Sequence, residues 1–305
     1  DCAIFYRTNA QSRIFEDELL GCDVPYVVVG GVRFYDRAEV KDALAYLRLA
    51  HNPADGAALR RIVNKPARGI GKASLDRAEA LAEQHGTSLY EGLRRFAESD
   101  EGARAAPRIH AFIALIDEIA HHSRGAAPAS AIAHVLDRSG YLDALERDGG
   151  LEAESRIENL RELLAAAEDF SRANAEVPDD DRSALELFLD QVALVSDVDN
   201  YDRRDDRVSL MTVHSAKGLE FPVVYLVGME DGVFPHSVAL RDPTGLEEER
   251  RLCYVGMTRA MEQLTITSAA ERLRYGSRSY GMPSRFLAES PPEVTEQIGS
   301  RRARG

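Results

Sequence analysis

The stretch VSLMTVHSAKGLEFPVVYLVG, from Val208 to Gly228, decides how the rest of the chain is read. Its two apolar runs, Val208–Val213 and Val223–Val227, are rich in β-branched residues and show little alternation with polar ones. Strands covered on both faces of a parallel sheet read this way, because side chains on either face meet apolar neighbours. Between the runs lies HSAKGLEF, which gathers His214, Ser215, Lys217 and Glu220 within seven residues. A Lys–Gly pair after a strand raises the question of a phosphate-binding loop. Such a loop needs G-x-x-x-x-G-K-[ST], so that successive backbone N–H groups and the Lys wrap the phosphates. The chain has no such segment. GIGKAS (69–74) comes nearest, but Pro66 replaces the first Gly and Ala73 the magnesium-binding hydroxyl.

Outward from this stretch, residues 206–290 continue with a predicted helix from Leu246 to Met261, a strand QLTITSA and a closing segment PSRFLAE. Residues 1–50 share the habit: strand CAIFY, helix Ser12–Leu20, strand PYVVVG, helix Arg37–Leu49. Alternating βα units predict an α/β fold with a parallel sheet covered by helices. The middle is different. From Ala54 to Val198 no strand is predicted, and apolar residues recur at helical spacing, as in Ile157, Leu160, Leu163 and Leu164. FIALIDEIA (112–120) imitates a strand ending in magnesium-binding acids, but its Phe112, Leu115, Ile116 and Ile119 keep a helical period. The predicted architecture is a sheet domain (1–100 and 205–290) split by an all-helical insertion (101–204) and followed by a tail (291–305).

With 305 residues, 44% of them apolar, the chain has material for one large or two ordinary cores. No apolar run approaches the roughly 18 residues of a membrane span. The first residues lack a signal peptide and an initiator Met, and are read as the start of a piece excised from a longer protein. Cys2, Cys22 and Cys253 are widely spaced in apolar contexts, which predicts buried reduced thiols and a cytoplasmic origin. A net charge of −13 argues against nucleic acid. That average hides two acid-free basic runs, Arg60–Lys72 and Arg272–Arg285, the second carrying Tyr275 and Tyr280.

Single residues then become candidates. Tyr6-Arg7 ends the first predicted strand, where α/β sheets bind ligands. Gly69, Gly71 and Lys72 open a helix with free N–H groups and a cation, equipment for holding a nucleic-acid phosphate. Arg259, in YVGMTRA, stands at a helix end; Arg250 and Arg251 follow three glutamates and read as ion-pairing residues. His110, His121 and His122 have no ligand-spaced partner, and no metal site is assigned.

Read together, these segments resemble the C-terminal half of the UvrD/PcrA/Rep family of superfamily 1A DNA helicases. IFYRTNAQSR (4–13) is similar to motif IV of that family, VVVGGVRFYDRAEVKDALAYLRL (27–49) to motif IVa, residues 208–235 to motif V and LEEERRLCYVGMTRAMEQLTIT (246–267) to motif VI. NKPARGIG (64–71), RIENL (156–160) and RLRYG (272–276) agree as well. The resemblance implies a RecA-like domain 2A with an inserted helical domain 2B, from a helicase moving 3′ to 5′ on ATP. It implies that Arg7 and Arg259 are catalytic, acting on the γ-phosphoryl group, with Tyr6 stacking on adenine and Glu220 reaching the ribose. Thr212 and His214 then face single-stranded DNA, and Tyr275 resembles a strand-separating pin in a hairpin. ATP with Mg2+ would be bound jointly with an N-terminal RecA-like half bearing the phosphate loop. The implied partners are single-stranded DNA, the single-strand/duplex junction and repair or transcription proteins, without a membrane. Two alternatives stay open. One is a subunit of a RecB/AddA-type helicase–nuclease; the other is a DNA-binding or protein-recruiting module without motor activity, against which Arg7, Glu220 and Arg259 count.

Overall fold

The computed structural model describes residues 2–174, 182–198, 206–274 and 277–298. The chain divides into two compact units, one of Asp1–Gly31 with Arg204–Gly305, the other of Val32–Arg203.

The first unit holds strand β1 (Cys2–Tyr6), helix α1 (Ser12–Gly21) and strand β2 (Tyr26–Val28). The second holds α2 (Ala38–His51), α3 (Gly56–Ile62), α4 (Lys72–His85), α5 (Leu89–Glu98), α6 (Ala106–Ser123), α7 (Pro128–Arg138), α8 (Tyr141–Asp148), α9 (Gly150–Ala173) and α10 (Ala184–Val198). The chain then returns to the first unit with β3 (Val208–Thr212), β4 (Phe221–Leu226), α11 (Pro243–Met257), β5 (Ala260–Ile266) and the hairpin β6 (Glu271–Arg274) and β7 (Ser277–Tyr280).

Strands β2-β3-β1-β4-β5 form one sheet in that order, every neighbouring pair parallel. Alternation sorts the side chains. Ala3, Phe5, Met211, Val213, Val224 and Leu226 join Met229, Phe234, Cys253 and Phe286 in one core. Tyr6, Tyr26, Leu210 and Val227 form a smaller one. The predicted α/β class holds. One boundary shifts: α11 stops at Met257 and β5 starts at Ala260, so TRAME belongs to a turn and a strand. Pairing with β4, which begins at Phe221↔Ala260, outweighs the helical pattern there. Cys2, Cys22 and Cys253 are free thiols, but only Cys253 is buried as expected; Cys2 is half-buried and Cys22 is exposed at the C-cap of α1.

In the second unit no strand occurs among the described residues, and FIALIDEIA is helical, within α6. The domain boundary expected at residue 100 is corrected to Gly31/Val32. Helices α2 to α5 bury Leu44, Leu47, Leu59, Leu93 and Phe96 in the same core as Phe112, Ile116, Val135 and Leu160. An apolar helical face states that it needs cover; it does not state which element supplies it. Polar ties reinforce this core. Buried Asn159 accepts from Arg37 Nη1 at 2.7 Å and donates to Glu39 at 2.5 Å, linking α9 to the start of α2. Asp42, 3% exposed at its side chain, takes Arg61 at 2.6 Å and Lys65 at 3.2 Å. It also accepts from the Tyr141 hydroxyl at 2.9 Å.

Candidate functional site

The candidate residues of the first unit gather where parallel strands end. Tyr6 pairs with Thr212, and Val213 N donates to Tyr6 O at 2.9 Å. Arg7 and His214 therefore leave the sheet from neighbouring strands at its carboxyl edge, the usual ligand edge of an open α/β sheet. The backbone beyond β1 is shaped by Gln11. Its Oε1 accepts from both Arg7 N and Thr8 N at 3.0 Å, while Gln11 N donates to Thr8 O at 3.1 Å. This is the capping box spelled by Thr8-Asn9-Ala10-Gln11. At Gly228, with φ +72, a Cβ would collide with the Gln11 side-chain amide.

Arg7 is gripped along one edge. Its Nε lies 2.9 and 3.0 Å from the two carboxylate oxygens of Glu249, and its Nη2 lies 2.6 Å from Oε1. Glu249 sits on α11, is 6% exposed at its side chain, and also accepts from His236 N at 3.0 Å. The other two acids of that run point elsewhere: Glu247 pairs with Arg250 and Glu248 with Arg251 at 3.8 Å. Arg259 is held differently. Its donors reach Val255 O at 3.1 Å, Leu219 O at 3.4 Å and Thr258 Oγ1 at 3.1 Å, all neutral acceptors.

The turn after β3 is built by Thr212, whose Oγ1 lies 3.0 Å from Ser215 Oγ and accepts from Ser215 N at 3.3 Å. Gly30, at φ +74, lets the chain after β2 press on this turn; a Cβ there would sit 2.9 Å from Ser215 Oγ. His214, Lys217 and Glu220 are exposed. Partial desolvation of the His214 ring and, after it, the Arg7 charge push its pKa below the ordinary histidine value, against Glu249 and Glu248. Tyr6 does not present a face. It is fully buried with Tyr26, Leu210 and Val227, so the expected stacking on adenine is not supported by its placement.

Past β4, two carboxylates anchor the β6–β7 hairpin. Glu230, 1% exposed at its side chain, accepts from Arg272 Nε at 2.5 Å, Arg272 Nη2 at 3.0 Å and Ala269 N at 2.7 Å. Asp231 accepts from Arg285 N at 3.0 Å and Arg285 Nη2 at 2.8 Å. Burial would raise the Asp231 carboxyl, but the Arg285 hydrogen bonds outweigh it and hold it below the usual range. Tyr275 lies outside the described residues.

Gly69, Gly71 and Lys72 belong to the second unit. Asn64 closes the loop before them, its Oδ1 accepting from Arg68 N at 3.1 Å and Ile70 N at 3.0 Å. Gly69 has φ +71, Gly71 is the N-cap of α4, and Lys72 is exposed in its first turn. A cleft of about 340 Å³ opens there, lined by Gly69, Ser74, Arg77, Arg104, Arg108 and Glu101 among others. Ser74 N is taken by Gly71 O at 3.1 Å, Arg77 lies 3.7 Å from Glu101 and Arg108 donates to Gly69 O at 3.4 Å; three guanidiniums against one carboxylate still favour an anion. The other cations of the Arg60–Lys72 run are engaged within the fold: Arg60 pairs with Glu79, and Arg61 and Lys65 with Asp42.

Glu249 and Glu230 were not singled out from sequence. A signal for Glu249 exists: it shares a face of α11 with buried Cys253 and Gly256, at i, i+4 and i+7, and a carboxylate on such a face needs a partner. Among the described residues no three His, Cys, Asp or Glu side chains converge to hold a metal. No described helix is long and apolar enough to cross a membrane.

Residues 1–271 match the model of the UvrD-like helicase C-terminal domain. The chain is 44% identical to DNA helicase II of Escherichia coli (strain K12), over 99% of this chain and 42% of that protein. It is 40% identical to the ATP-dependent DNA helicase PcrA of Bacillus subtilis (strain 168), over 99% of this chain and 41% of the relative. The PcrA of Staphylococcus aureus (strain NCTC 8325 / PS 47) is also 40% identical, over 98% of this chain and 41% of its own length. The chain thus spans about two fifths of the length of these curated relatives. With this match, the parallel sheet and the helical unit within it, the chain belongs to the UvrD-like helicase C-terminal domain family.

Proposed function

We propose that this chain is the C-terminal motor half of a longer ATP-dependent DNA helicase that moves 3′ to 5′ along single-stranded DNA. The observation that carries this reading is the adjacency of β1 and β3. One ends in Arg7 and the other in the Thr212–Glu220 turn, so a nucleotide-facing cation and a DNA-facing turn leave neighbouring, hydrogen-bonded strands. Such a rigid junction lets nucleotide state bias DNA grip, the coupling a motor needs.

In this reading Arg7 and Arg259 reach the γ-phosphoryl group of ATP bound on an N-terminal RecA-like half, and Glu220 reaches the ribose. Guanidinium groups stabilise charge that develops in the transition state. Thr212 and His214 line the single strand. Gly69, Gly71 and Lys72, with the arginines of the cleft beside them, hold a phosphate of the duplex, and the hairpin with Tyr275 meets the junction. The described residues provide no ligand set for Mg2+, so the ion is assigned to the N-terminal half and no step is routed through it here. The longer protein acts where DNA lies, in the cytoplasm with the nucleoid, alongside repair or transcription proteins.

Steady-state ATP hydrolysis tests the reading. The full-length protein should hydrolyse ATP with stimulation by single-stranded DNA and unwind a duplex with a 3′ tail, while this chain alone should be inactive. Turnover by the purified chain alone, or a full-length ATPase indifferent to DNA, would refute it.

A further inference from the structure

The loop between α3 and α4, residues 63–71, is shaped from within by one side chain. The Asn64 carboxamide pairs with both backbone groups of Ile70: Oδ1 accepts from Ile70 N at 3.0 Å, and Nδ2 donates to Ile70 O. Oδ1 also accepts from Arg68 N at 3.1 Å. A carboxamide carries an acceptor and a donor side by side, so it can take both backbone groups of one residue as a neighbouring strand would. The Ile70 side chain is fully buried in the core of the second unit, and the Tyr46 hydroxyl donates to Lys65 O. Ile70 is thus held by its side chain, its N–H and its C=O, and the chain beyond it leaves from a fixed point. Gly71 follows in extended conformation, φ −73 and ψ 166, as the N-cap of α4. The N–H groups of Gly71, Lys72 and Ala73 have no acceptor among the described residues, whereas Ser74 N is taken by Gly71 O. Three free amides and the Lys72 ammonium therefore stand on backbone that Asn64 sets.

The geometry points to Asn64 as the positioning residue of this edge: it fixes Ile70 so that the amides of Gly71, Lys72 and Ala73 are presented together to a backbone phosphate of duplex DNA. Asn64 is half-buried, acts through the backbone of Ile70 and does not itself touch DNA. The inference rests on the proposed reading in which Gly69, Gly71 and Lys72 hold a phosphate of the duplex. It differs from a purely structural role, in which Asn64 would close the loop and do nothing for DNA.

Binding of the full-length protein to two probes at one salt concentration decides the matter: a duplex with a 3′ single-stranded tail, and that tail alone. If the duplex adds nothing to the affinity of the wild-type protein, the phosphate-holding reading fails and the inference with it. Given a gain from the duplex, Asn64→Ala should weaken binding of the tailed duplex by about 10-fold, the scale of one hydrogen bond to a charged group. Affinity for the tail alone should change by less than about 2-fold, the range of an ordinary surface substitution. Lys72→Pro puts proline at the first helical position, which tolerates it, and deletes one of the amides together with the ammonium. In that background Asn64→Ala should cost clearly less than in the wild type, because part of what it positions is gone. Asn64→Ser, with a shorter donor and acceptor, should fall between the two and carries the same comparison should the alanine variant not fold. Equal losses on the two probes, or equal losses in the two backgrounds, would overturn the inference in favour of a structural role. Wild-type affinity of Asn64→Ala for the tailed duplex would overturn it outright.

Discussion

Arg7 and Arg68 are both held by the fold, one at the carboxyl edge of the sheet and one in the loop before α4, and the two grips differ in kind. Arg68 donates from Nη1 to Ile62 O at 3.0 Å and Pro66 O at 3.3 Å, and from Nη2 to Tyr46 Oη at 2.5 Å and Ser139 O at 3.1 Å. Its guanidinium also lies over the rings of Tyr46 and Phe112, 5.6 and 5.5 Å from their centroids. Both terminal nitrogens are engaged and both neighbours are aromatic, so Arg68 works as a cross-link. Arg7 meets a single carboxylate and keeps an edge in reserve. Arg259 donates once from each of its three nitrogens, but only to neutral acceptors, so among the described residues no carboxylate offsets its charge. Counting arginines is therefore uninformative; what separates structure from function is how many donors the fold leaves over.

If that contrast is right, Arg68→Ala should act on stability. It takes the Arg68 donor from three carbonyls and a hydroxyl, although Ile62 O keeps Lys65 N at 2.9 Å and the Tyr46 hydroxyl still donates to Lys65 O. Hydrogen bonds from a charged group contribute about 1.5–3 kcal/mol each before relaxation. A net loss of roughly 3 kcal/mol is expected in chemical denaturation of this chain. A loss below about 0.5 kcal/mol, the range of ordinary surface substitutions, would erase the distinction between the two arginines.

A smaller effect should appear at the hairpin. Glu230→Gln removes the buried countercharge of Arg272 and loosens the base of β6–β7 without touching Arg7 or Arg259. In the full-length protein it should slow duplex unwinding several-fold and leave ATPase on single-stranded DNA nearly intact. Tyr275→Ala should show the same split, since stacking on a base contributes about 1–3 kcal/mol. Equal losses of unwinding and ATPase would mean that Glu230 serves the sheet rather than the hairpin.

The smallest effect concerns His214. Its imidazole should titrate below the ordinary value of about 6.5, followed by NMR on this chain. Arg7→Ala removes a charge that lowers the pKa and should raise the midpoint; Glu249→Gln should lower it further. Because the native state takes up this proton less readily than the unfolded chain, stability declines as pH falls from about 6.5 toward the lowered midpoint. A midpoint insensitive to Arg7 would mean that the Arg7 charge does not reach the turn after β3.

Much of this was readable in the residues, and the parts that were not have physical causes. Strands β1, β3 and β4 announce themselves because a doubly covered strand needs continuous apolar, β-branched residues. Helices α6, α7 and α9 do so through their period. The domain boundary was not readable, since the faces of α2 to α5 would look the same against a sheet or against α6. The basic run 60–72 is less free than its sequence suggests, because Asp42 and Glu79 lie outside it and take three of its cations. Glu249 was hidden among three identical acids, distinguishable only by sharing a buried face with Cys253 and Gly256. Tyr6 was placed correctly at a strand end, but its exposure is set by Tyr26, Leu210 and Val227, which sequence order does not bring beside it. RIENL reads as a family signature in the sequence; in the structure its Asn159 ties α9 to Arg37 and Glu39.

The central claim, that a guanidinium with donors left over serves the reaction, is tested most directly at Arg259, whose removal strands no carboxylate. The measurement is kcat for DNA-stimulated ATP hydrolysis by full-length Arg259→Ala, with the melting temperature taken alongside. The account predicts a fall of about 10³-fold or more, the scale of arginine fingers in other NTPases. Melting and binding of a non-hydrolysable analogue should stay close to wild type. An unchanged kcat, or a loss that only tracks a lowered melting temperature, would contradict it.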